Sequence, residues 1–160
     1  MRLSSRLVLV GAAAAAGLLM AAQAGAARTR SFTASYAGTG SGHVTGKTVS
    51  GAATLTGRGR LIGTGTLKGS ATGTFTSASC VTFGGRATLR GGRGTLKLRA
   101  QNARACSSTG SGNRVTFSGK ARVVGGSSAF SRARGLLSFS GTYVRSTGAV
   151  TITFRGRISY

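Results

Sequence analysis

The chain has 160 residues, with 22 Lys and Arg and neither Asp nor Glu. Without carboxylate side chains it holds no acid–base pair of carboxylates and no Ser–His–Asp arrangement. No salt bridge can join two of its side chains, so each cation is solvated, stacked or met by an outside anion, and self-repulsion makes stability depend on salt.

In chain order, residues 1–26 have the form of a secretory signal. Arg2 and Arg6 supply a cationic start, an apolar run follows from Leu7 to Ala22, and small residues occupy the peptidase positions in Ala22-Gln23-Ala24 or Ala24-Gly25-Ala26. The run is shorter than the ~20 residues that span a bilayer, so it predicts cleavage and no transmembrane span in the mature chain. No Cys lies near the cleavage site for a lipid anchor. Residues 27–160 then form one domain, secreted or extracytoplasmic, with 20 of the cations retained. A chain of that length buries enough surface for a core. Disorder is the competing class, given 28 Gly and no Trp. Regular recurrence of Phe, Val, Leu and Ile, together with the absence of Pro, opposes it.

Period-two alternation dominates the mature chain and predicts strands with one apolar and one wet face. The expected strands are 32–37, 51–56, 61–68, 71–79, 81–89, 95–100, 114–124 and a C-terminal hairpin of 136–144 with 149–160. Between the first two, Gly38-Thr39-Gly40-Ser41-Gly42-His43-Val44 has the look of a mobile stretch, and its lone His43 is expected to be solvated. Gly-x-Thr fragments such as Gly63-Thr64-Gly65-Thr66 raise a β-solenoid, but no fixed repeat period supports one. Glycine at barrel bends is the simpler account.

Arg90-Gly91-Gly92-Arg93 and Arg145-Ser146-Thr147-Gly148 mark hairpin turns, and Ser107 to Asn113 is the most loop-like stretch. No amphipathic helix follows the leader; a helical turn at residues 127–133 is the most that fits. Eight or nine short strands at this spacing indicate an all-β sandwich or barrel, and the choice here is a single antiparallel barrel.

Cys80 and Cys106 are the only cysteines, and an exported chain with none left over predicts a disulfide between them. Two thiols and one distant His make a metal site a poor rival, and no glycine cluster opens a helix that would cradle a phosphate. No metal and no cofactor is therefore expected, and with its thiols oxidised the protein is read as a non-enzyme.

Arg86, Lys97, Arg99, Arg155 and Arg157 alternate onto wet strand faces and form the candidate basic face for anionic polymers. The Phe residues fall on apolar faces, leaving Tyr36, Tyr143 and Tyr160 as the only candidates for exposed rings, so specific nucleic-acid recognition is not expected. A membrane-disrupting role needs an exposed apolar patch beside the arginines, and strict alternation predicts none.

Val123-Val124-Gly125-Gly126-Ser127-Ser128-Ala129-Phe130, with Ala133-Arg134-Gly135 and Leu136 to Tyr143, resembles the Gly-Gly-Thr-Gly-x-Phe…Ala-x-Gly segment of allene oxide cyclase and dirigent-like barrels. The resemblance spans about 40 residues, and Ser128 stands where the family's turn usually ends in Gly. It implies an eight-stranded antiparallel barrel, often trimeric, with a mostly apolar cavity, one rim of which Gly125, Gly126, Ser127 and Phe130 shape. The family's acidic pocket residues have no counterpart here, so its activities do not carry over. Two functions follow as expectations: a cationic barrel that associates with anionic envelope polymers or holds a small apolar ligand, and, as the alternative, a cavity isomerase or cyclase using only Arg or Tyr.

Overall fold

Alternating inward and outward side chains run through eight antiparallel strands in a computed structural model of the protein, which describes residues 28–107 and 112–160. The strands are β1 (Thr29–Thr45), β2 (Thr48–Gly59), β3 (Gly63–Phe75), β4 (Cys80–Gly91), β5 (Gly94–Ser107), β6 (Arg114–Ser128), β7 (Arg134–Val144) and β8 (Ala149–Ser159). Each pairs with the next, and β1 pairs with β8, so the sheet closes into an up-and-down barrel with no free edge. Among the described residues no helix is long and apolar enough to cross a membrane. The expected leader, residues 1–26, lies outside the described residues, as does most of the loop-like stretch after Ser107.

One inward row fills one end of the barrel. Phe32, Leu89, Leu96, Val123, Leu137 and Ile158 point in from six strands and are fully buried. Ile62 from the β2–β3 turn and Phe130 from the β6–β7 turn cap them, also at zero exposure. The β6–β7 connection folds back through Phe130 N–H to Ser127 O at 3.0 Å and Ala133 N–H to Phe130 O at 3.0 Å. That geometry puts the Phe130 ring 5.0 Å from the ring of Tyr160. Ser128 takes φ 53°, a left-handed conformation in which Gly or Asn is easier to hold.

Most strands run longer than the sequence expectation, and three of the differences have a clear cause. The stretch 38–44 is not a mobile loop but the second half of β1, whose inward positions Gly38, Gly40 and Gly42 carry no apolar side chain to reveal the alternation. Likewise the expected strands 61–68 and 71–79 merge into a single shorter strand, β3 (Gly63–Phe75), interrupted in pattern only by Gly69 and Ser70. Residues 61, 62 and 76–79 lie in the flanking connections. Strand β5 runs past Ala100 to Ser107 because one extra residue is inserted near Gln101 and Asn102, where the register shifts and Asn102 takes φ 54°. Such a bulge flips the phase: Leu96, Leu98 and Ala100 face in before it, Ala103 and Ala105 after it.

Candidate functional site

At the end opposite Phe130 the barrel is hollow. A cavity of about 520 Å³ opens there between the β1–β2, β3–β4 and β7–β8 hairpins. Its shape follows from residue size. On β1 to β5 most inward positions at mid-height are small: Gly40 and Gly42, Gly51 and Ala53, Gly69 and Ala71, Gly85 and Ala87, then Ala100 and Ala105. Val49, Phe75, Val81 and Phe83 are the larger exceptions. The facing wall on β6 to β8 carries Phe117, Phe139, Tyr143, Ile152 and Phe154. Phe139 sits among three rings, with centroids 6.4 Å from Phe83, 6.4 Å from Phe117 and 6.0 Å from Phe154. The floor is Leu55, Leu67 and Leu98, each nearly or wholly buried.

Glycine does different work at different points of this wall. A Cβ on Gly141 would run into Thr151 O and the Phe117 ring, so close strand approach demands glycine there. A Cβ on Gly42 would meet nothing nearer than Tyr143 Cε1 and Oη, both at 3.8 Å. Gly42 therefore leaves open space in the cavity, and its contacts place the Tyr143 hydroxyl beside the mouth. Arg145 and Val44 complete the mouth, with Val44 56% exposed.

The predicted disulfide is present. Cys80 and Cys106 face each other directly across β4 and β5, with Cα atoms 4.1 Å apart, on the outer side of the open end. Ser107 N–H donates to Ser79 O at 2.8 Å beside it, so the β4–β5 side of the mouth is tied both covalently and by hydrogen bonding. Both thiols being oxidised, neither is a nucleophile. His43 is exposed on the outer face of β1, opposite Ser50 and away from the cavity.

Tyr36 departs from the expectation of an exposed ring. It points inward at 2% exposure below the cavity, because outward and inward positions alternate from Phe32 through Ala34. Its hydroxyl has no hydrogen-bond partner, and burial pushes the phenol up to about 12.

The five residues expected to form a basic face lie outside, and the register brings them onto one side. Arg86 is directly opposite Arg99, and Arg99 directly opposite Arg122, which sequence reading did not single out. The row continues through Leu136 to Arg157. Lys97 precedes Arg99 by one outward position, and a parallel row joins Lys120, Ser138 and Arg155. Gly125, Gly126, Ser127 and Phe130 are all at the filled end, where Phe130 closes the barrel, so they shape the rim opposite the mouth. Comparison with family models, with curated proteins and with solved structures finds no match for this chain.

Proposed function

We propose that the protein is an exported, non-enzymatic binding barrel that takes one small apolar molecule into its open half. The observation that carries this reading is the cavity of about 520 Å³ lined by Gly, Ala, Leu, Val and Phe. That volume falls within the range of small-molecule sites, which are concave, mostly apolar and largely preformed. Transfer of an apolar ligand from water into such a space is favourable at about 25 cal/mol per Å² of surface buried. The wall is built on strands, not loops, so little ordering is needed on binding. Export is supported by the form of residues 1–26 and by a disulfide, which persists in oxidising compartments.

A second reading, a cavity isomerase or cyclase of the allene oxide cyclase-like kind, is favoured by one feature: Tyr143 brings a hydroxyl to the cavity wall. The absence of Asp and Glu from the chain weighs against it, since no carboxylate side chain is present to take or give a proton.

Titration with Nile red, a neutral solvatochromic dye, tests the first reading. Saturable one-to-one binding with a blue shift is expected. Ala71→Leu with Ala87→Leu, which add side-chain volume to the small-residue wall, are expected to weaken it about tenfold or more while the fold is retained. Absence of saturable binding, or binding indifferent to that filling, overturns it. Conversion of a bound apolar epoxide or alkene into an isomer, lost in Tyr143→Phe, would move the assignment to the second reading.

A further inference from the structure

We propose that the outer face of β4 to β8 is a docking surface for an anionic lipid bilayer. Two independent features of the same patch point there. The first is charge: Arg86, Arg99 and Arg122 stand opposite one another on three adjacent strands, followed by Leu136 and Arg157. At a strand spacing of about 4.8 Å this row is roughly 19 Å long. Like charges directly opposite on a sheet repel, and no Asp or Glu side chain is present to relieve them. The repulsion is relieved when anions cover the row.

The second feature is apolar. Among the described residues the exposed large apolar side chains are Val44, at the cavity mouth, Val124 at 47% and Leu136 at 51%. The last two are not scattered. Leu136 lies directly between Arg122 and Arg157, and Val124 is one outward position beyond Arg122, diagonal to Leu136. Val124 follows Arg122 on the outward phase of β6, and the register shift between Lys97↔Gly125 and Leu98↔Val123 leaves it without a partner on β5. This is an apolar patch beside the arginines, where the sequence reading expects none: both residues occupy outward positions of their strands. An arrangement of Arg around protruding Leu and Val suits the boundary between headgroups and acyl chains, where the cations meet phosphate and the apolar tips leave water. A hydrated polyanion would reward the arginines but gain nothing from Leu136. Every Phe and Tyr that packs does so on the inside, so the face offers no ring for stacking nucleic-acid bases.

Co-sedimentation with vesicles of phosphatidylcholine, with and without phosphatidylglycerol, tests the proposal on the full mature chain. Binding is expected only to the anionic vesicles. Val124→Ser with Leu136→Ser is expected to lower vesicle affinity about tenfold or more at physiological salt, where purely electrostatic attraction is screened, while binding to heparin stays unchanged. Arg122→Ser with Arg157→Ser is expected to lower both. A control that removes two cations elsewhere, Lys47→Ser with Arg58→Ser, is expected to have a smaller effect on vesicles than Arg122→Ser with Arg157→Ser. Wild-type vesicle affinity in Val124→Ser/Leu136→Ser overturns the proposal in favour of a polyanion surface. Equal loss in the control overturns it in favour of net charge alone. Neither result touches the cavity, which Nile red reads separately.

Discussion

The two halves of the barrel are made from the same eight strands, yet one is solid and the other hollow. On β1 the inward residues pass from Phe32, Ala34 and Tyr36 to Gly38, Gly40 and Gly42; on β3 they pass from Leu67 to Gly69, Ala71 and Gly73. Backbone pairing continues unbroken across the change. The run of small inward residues on β1 to β5 therefore sets where the interior is left open. The filled half supplies close-packed contacts, and the hollow half leaves aromatic rings with partners on one side only.

The largest expected difference between the halves is in truncation. Phe130→Ala removes the ring that closes the filled end and is expected to cost about 3–5 kcal/mol. Phe117→Ala, whose ring already faces the cavity, is expected to cost roughly half as much, because fewer contacts are lost. Chemical denaturation of both variants reads the difference, and equal costs would mean the hollow half is collapsed in solution. Next comes the tie at the open end. Replacing both cysteines by Ser (Cys80→Ser, Cys106→Ser) is expected to lower stability by about 3.5 kcal/mol in the chain-entropy model for a loop of this separation, 26 residues. The same variant should raise hydrogen exchange at Ser107 N–H more than at the Phe130 and Ala133 amides of the filled end.

The smallest expected effect at neutral pH sits between the halves, at Tyr36. Tyr36→Phe removes a buried hydroxyl that has no partner and is expected to be neutral or stabilising by about 1 kcal/mol. Its effect grows in alkali. The unfolded phenol ionises near pH 10, whereas the folded one is held protonated up to about 12 by burial. Stability that is complete below pH 10 is thus lost as the pH rises toward 12, by about 3 kcal/mol at most. Tyr36→Phe should escape that loss, and lysine titration cancels between the two proteins. Parallel alkaline melting curves for both would show the Tyr36 hydroxyl to be solvated.

The barrel and its disulfide were legible in the sequence because Val150, Ile152 and Phe154, or Leu96 and Leu98, announce their inward phase, and because the two cysteines can pair only with each other. The resemblance implied a cavity, but its place in the barrel and its walls were not legible, for the complementary reason. Glycine has no side chain to mark a face, so Gly38 to Gly42 reads as a loop when it is a strand wall. The basic face was visible strand by strand as Arg86, Lys97, Arg99, Arg155 and Arg157. Its continuity through Arg122 and Leu136 depends on register across four ladders, set by bulges at Asn102 and Val124 that no local pattern displays.

Seven of the eight ladders join neighbours in sequence through short connections, while β1 and β8 bring Thr29 opposite Ser159. That seam cannot be sewn until the final strand is available, and until then both outer strands show unsatisfied amides and carbonyls. Loop-closure entropy makes such a late, long-range step the slow one. Open chains waiting at that stage can stitch to each other instead of to themselves, so refolding yield should fall as protein concentration rises.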